Sequence, residues 1–343
     1  MLSLLQSIFA SSHKQHDDAY ERIIDLAIDM TVEGTDPRLK VIRGYKKRLR
    51  DSVEIAVKYV IEVVEAMQAP MEMSRSAFAT DPQVNAFFAS ANELEHEISI
   101  NQSVREFIAR PVITSDDYLY LGMAMTLAKK NVFVPVVKGE IVQQDVARTA
   151  VNFSGHRFVD PSDNELSLRR KIKERVFMTL VQCALAKLIR IKGQKQELEN
   201  QRILLRAKLR NLKHQALGLE PLTDTITDEN ISHEKLVAKL AEIERTLKET
   251  AASIETLDQY LEIISAVMAD PKKHIKVENT AIRLTRMNFA ASPNDEDPGE
   301  EIIYTDFETS DARNIAGRLI KYPRTELLSE ETLKDKTRFV LPW

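Results

Sequence analysis

The spacing of hydrophobic positions along the chain changes period several times. Residues 16–33 place Ile23, Leu26, Ala27 and Met30 three and four apart, which predicts an amphipathic helix stopped by Gly34 to Pro37. From Tyr45 to Met67 a second helix carries Leu49, Val53, Ala56, Val57, Val60, Ile61 and Val64 on one side. Asp81 followed by Pro82 is an N-cap with proline in the first turn, so a short helix runs to Phe88. Further helices are expected over 91–109 and 115–129. Short connections then make residues 1–129 a helical bundle.

A seven-residue period follows. Phe177, Ala184, Ile191, Leu198, Leu205 and Leu212 recur at sevens, with Val181, Leu188, Lys195, Arg202 and Leu209 four residues after the first five. A second heptad series contains Leu236, Leu240, Ile243, Leu247, Thr250, Ile254, Leu257, Leu261, Ile264 and Met268. Ser162 and Glu165 have capping-box spacing before the first series, and Asp270-Pro271 closes the second. The simplest arrangement is an antiparallel coiled-coil hairpin over 162–271, facing Leu198 with Leu247 and Leu209 with Leu236. Sliding it by one heptad would bury Lys195 against Leu257, at a cost of about several kcal/mol. Charge favours the pairing: residues 165–213 hold fourteen Lys/Arg against four Asp/Glu, and residues 229–268 hold four against eight.

Residues 131–142 are rich in β-branched side chains, and 146–153 alternate, as do parts of 275–289 and 301–307. Strands on both sides of the hairpin can pair at its root, giving a small β platform from 130–161 and 272–309. The expected fold class is mainly α with a small β platform, an N-terminal helical bundle and a long coiled-coil hairpin inserted in the β-containing domain. Residues 310–343 form an unassigned tail.

Composition narrows the function classes. The 343 residues are 43% apolar and 29% charged, as in a folded chain of two or three structural units. A net charge of −4 gives no overall positive excess for a nucleic-acid or membrane partner. Cys183 is the single cysteine, so no intramolecular disulfide can form. Met1 to Ala10 lacks a basic n-region and fits a secretory signal poorly, and no apolar run is long enough for a membrane span. A cytoplasmic location is expected.

Seven cations, Arg38, Lys40, Arg43, Lys46, Lys47, Arg48 and Arg50, crowd thirteen residues. They are candidate contacts for phosphates of nucleic acid or anionic lipid, or they form a solvated face with acidic neighbours in the fold. Glu220, Asp224 and Asp228 make the loop between the heptad series acidic, and could present carboxylates to a partner. Neither Gly-x-x-x-x-Gly-Lys-Ser/Thr nor Gly-x-Gly-x-x-Gly occurs. Glu93 and His96 supply half of a di-iron spacing, His13 and His16 have metal-compatible spacing near a terminus, and Ser154-Gly-His156 lacks a visible acid partner. No catalytic residue, metal or cofactor is expected. The expected function is a non-enzymatic interaction or scaffold protein whose hairpin engages a protein partner or a second copy as a homodimer. Nucleic-acid association through 38–50 and the basic face of the arm is the alternative, and an enzyme with a site scattered in sequence is the second.

Overall fold

The computed structural model describes residues 15–110, 117–138, 141–216, 233–251, 256–291, 298–309, 314–329 and 332–333. They divide into two compact units, one of residues up to 20, 56–179 and 271 onward, the other of Glu21–Ile55 and Leu180–Asp270.

The first unit is built on a six-stranded sheet. β1 (Met71–Glu72), β2 (Tyr118–Lys138), β3 (Ile141–Ser162), β4 (Ile275–Leu284), β5 (Glu300–Thr309) and β6 (Asn314–Pro323) lie in the order β3-β2-β6-β5-β4, with β1 added in parallel to β6 and the other pairings antiparallel. This overturns the small β platform: strand makes up 27% of the described residues and helix 59%. Two misread segments explain the difference. Residues 118–129 are strand, not helix, because Leu119, Leu121, Met123 and Met125 alternate onto one buried face. Leucine, methionine and alanine are good helix formers, and that propensity is overridden here by pairing on both sides. β6 lies in the unassigned tail, where Gly317 and Arg318 interrupt the apolar pattern.

One face of the sheet is covered by four short helices: α3 (Arg75–Thr80), α4 (Pro82–Phe87), α5 (Ala91–Ile100) and α6 (Gln102–Ile108). None is long enough to persist unaided, and each is held at its start by a side-chain cap. Ser74, Asp81, Ser90 and Asn101 accept from the backbone N–H groups of Ala77, Gln83, Glu93 and Val104. Their apolar sides bury Val84, Phe87, Leu94, Ile98 and Val104 against Leu119, Leu121, Met123, Phe153, Phe158, Ile302, Tyr304 and Tyr322 of the strands. Phe87 meets the Phe153 ring edge to face at 4.9 Å. Arg318 sits on this face with Nε and Nη1 buried and unpartnered, and burial lowers its pKa although Asp81 opposes the shift.

The hairpin of β2 and β3 outgrows the sheet. β2 pairs with β6 from Tyr118 to Thr126, whereas its pairing with β3 continues to Lys138↔Ile141. Asn288 and Ala290 hold the β3 edge: the Val151 N–H donates to the Asn288 carbonyl and the Ala290 N–H to the Thr149 carbonyl, each at 2.8 Å. Outside that point the ribbon has two strands, and Phe133 is 74% exposed.

Helix α1 (Gln15–Thr35) gives way to a single 3-10 turn, Pro37–Val41, capped by Asp36, and α2 (Tyr45–Glu65) follows. Helix α7 (Glu165–Ala216) is 52 residues long. Its cap is Asn164, which accepts from the Ser167 N–H at 2.8 Å, while Ser162 donates instead to the Asp160 carbonyl. The cap is therefore Asn164, two residues after the expected Ser162, and Glu165 accepts from Arg169 at 2.7 Å instead of completing a capping box with Ser162. Within the first unit, Arg169 of α7 donates to the carbonyls of Val64 and Met67, which satisfies acceptors at the end of α2.

In the second unit the second heptad series is not one helix. α8 (His233–Ala251) and α9 (Leu257–Met268) are distinct, and α9 restarts at Thr256 with a full capping box to Gln259. Leu205 of α7 and Leu236, Ile243 and Leu247 of α8 form a buried cluster, with Leu198, Leu209 and Leu240 packed against it. Both members of the expected pairs Leu198/Leu247 and Leu209/Leu236 lie in that cluster. Arg206 and Glu244 form a salt bridge between the helices, 2.6 Å long.

Candidate functional site

The basic segment folds against carboxylates of its own unit. Arg38 binds Asp36, Lys40 binds Glu33 at 2.7 Å, Lys46 binds Asp29 at 2.9 Å, Arg50 binds Glu21, and Arg48 binds Asp258 with Glu262 at 3.9 Å. Hydrogen bonding to these carboxylates raises the pKa values of Lys40, Lys46 and Arg50. Arg43 and Lys47 are exposed. Five of the seven candidate cations thus share their charge with an acid, which leaves less positive potential for phosphates than their number suggests. Glu220, Asp224 and Asp228 lie outside the described residues, as do His13 and the loop that would carry an acidic tip.

The isolated chemical motifs resolve into structural contacts. Glu93 accepts from the backbone N–H of Ala89, so its carboxylate serves the start of α5. His156 stacks on Phe88 with ring centroids 4.2 Å apart, and its Nε2 lies 2.9 Å from the Phe87 carbonyl, so Nε2 carries the proton. Burial lowers the His156 pKa from its ordinary 6.5, against smaller opposing effects of that carbonyl, Glu93 and Glu97. The unfolded chain then takes up the second imidazole proton more readily than the folded one, so stability falls as pH drops through 6.5 toward the lower folded value. His156→Gln is expected to flatten that part of the pH–stability curve in urea unfolding; an unchanged slope between pH 7 and 5 would count against it. Among the described residues no group of three or more His, Cys, Asp and Glu is placed to hold a metal ion. No helix of the described residues is long and apolar enough to cross a membrane.

The surface feature that the fold leaves unexplained lies on α7. Ala186, Ile189, Gly193, Gln196, Asn200, Ile203 and Ala207 follow one another at alternating spacings of three and four, and all are exposed. They form a second heptad stripe, roughly opposite the leucines that meet α8 at about 100° per residue. Ile189 is 61% exposed, Ile203 63% and Leu204 57%, high values for large apolar side chains. Arg190, Lys192, Lys208 and Arg210 flank the stripe, with Glu197 and Glu199 also at its margins. The stripe was readable from sequence as uncharged residues out of phase with the leucines, but the stronger leucine period obscures it.

Comparison with known proteins finds no matching family, no similar curated protein and no similar solved structure.

Proposed function

We propose that the protein is a non-enzymatic, cytoplasmic interaction protein that holds a helix of a partner protein along the outer stripe of α7. The observation that supports this reading is a helix with two heptad faces, one committed to α8 and the other exposing Ile189 and Ile203. Gly193 and the alanines would let a partner backbone approach closely, and the isoleucines would supply buried apolar area. The flanking cations favour a partner helix rich in Asp and Glu. They also disfavour a second copy of α7, whose own cations would face them.

The test is a photo-crosslinking residue placed at Ile203 of the full chain in cells, with one at the exposed Val41 as the control. A discrete protein adduct from position 203 and not from 41 is expected. It should disappear in Ile189→Glu/Ile203→Glu, whose thermal midpoint should stay within about 3 °C because both side chains are already in water. Self-adducts, nucleic-acid adducts or no position-dependent adduct would each overturn the reading.

A further inference from the structure

The sheet face turned away from the four short helices carries a hollow of about 180 Å³, lined almost wholly by apolar atoms. Ile172, Val176 and Thr179 of α7 lie on one side, and Gly122, Ala124 and Gly317 lie on the sheet side. Two glycines and an alanine border the hollow on the strands, and side chains of neighbouring elements already crowd the glycines. Bulk cannot simply be added at the glycines. A Cβ on Gly122 would come within 3.0 Å of Ile172 and 3.1 Å of Val159, and one on Gly317 within 2.6 Å of the Phe307 ring.

We propose that this hollow is a binding site for a small uncharged apolar molecule, an aromatic ring or short hydrocarbon of about six to ten non-hydrogen atoms. Its size sets the upper limit, since an apolar cavity of about 150 Å³ accommodates benzene. Its chemistry sets the class. Arg175, at the margin, already binds both oxygens of Asp160, at 2.7 and 2.8 Å. The Thr179 hydroxyl donates to the Arg175 carbonyl at 2.9 Å. Arg318 also borders the hollow, but it pairs with Met123 and shares that residue's helix-covered face of the sheet. A charged ligand would therefore be desolvated without a partner, and a water molecule would lack the two to four polar contacts it needs. An uncharged ring gives up no charge hydration on entry and can lie against Phe307, Ile315 and Leu319. This site is separate from the α7 stripe in residues and in chemistry, so either can fail without the other.

Toluene, indole and benzoate are the probes, with the full chain followed by thermal unfolding and by ligand-observed saturation-transfer NMR. Toluene and indole should raise the melting midpoint and show saturation transfer; benzoate, a ring of similar size with a charge, should do neither. Ala124→Leu plugs the hollow from the sheet and Thr179→Leu plugs it from α7. Each plug should cut the toluene response at least fivefold, and Ala124→Leu should raise the midpoint of the ligand-free protein. Either plug suffices if the other fails to fold. Absence of any toluene or indole response, an equal response to benzoate, or a response that survives a folded plugged variant would overturn the assignment.

Discussion

Phe87→Ala is expected to lower the stability of the sheet unit by about 3–5 kcal/mol, the range for emptying a phenylalanine-sized volume in a close-packed core. Phe87 is 1% exposed and stands at the end of α4, where it makes one ring contact and one backbone hydrogen bond to β3. Its ring meets Phe153 edge to face, Phe153 in turn meets Tyr304 at 5.8 Å, and its carbonyl accepts from His156. Alanine keeps the carbonyl but removes the ring that links the short helices to β3 and, through it, to β5. Helices of six to ten residues have little intrinsic stability, so their packing face carries most of what holds them on the sheet. In thermal unfolding followed by far-UV circular dichroism, the midpoint should fall by about 10 °C. A loss under about 1 kcal/mol would mean that the aromatic group is not the keystone of this face.

Leu205→Asp is expected to free α8 from α7 while leaving the sheet unit folded. Leu205 is 8% exposed in a cluster with Leu236, Ile243 and Leu247, small enough that each member carries a large share of the contact. A carboxylate there must either stay buried without a cation or pull its backbone into water, and both routes cost about 3 kcal/mol or more. α8 spans 19 residues and owes its persistence to that apolar side, so losing it exposes the whole helix to fraying. Amide hydrogen exchange should report loss of protection over 234–248 with protection retained in β2, β5 and β6. Protection retained in α8 would show that Arg206–Glu244 and helix propensity suffice without the leucine seam.

How much of this was legible in the sequence depends on whether a segment's neighbours lie close along the chain. The three- and four-residue spacing in α1 and α2 is a property of one helix and needs no partner to be recognised. β2 is different. Its alternation of Leu119, Leu121, Met123 and Met125 is interleaved with Tyr120, Gly122 and Ala124, none charged, because both faces are covered. With no polar face to mark period two, helix-forming residues tip the reading the wrong way. Arg318 hides β6 in the same manner, since a buried cation with unpartnered nitrogens contradicts the pattern from which strands are inferred. The basic cluster at 38–50 was plain as composition, whereas its neutralisation depends on Glu21, Asp29, Glu33 and Asp258, which folding brings to it. The hollow was beyond sequence altogether: seven separate segments line it, and the glycines and alanine on its sheet side carry no chemical signature.

The overlong ribbon of β2 and β3 carries a consequence for behaviour at high concentration. Its outer edges offer main-chain donors and acceptors beside the run from Val132 to Val137, the ingredients for stacking one molecule's strand on another's. Pro135 removes a donor from that run, and a register shift falls at the same place, between Val134 and Val136. Across the ribbon Asp145 adopts a left-handed φ of 59°, which breaks the flatness that fibrils need. Lys129, Lys130 and Arg148 add like charges that repel an incoming copy. The extension is thus built with its own guards against self-templating, and they sit where the sheet stops protecting it.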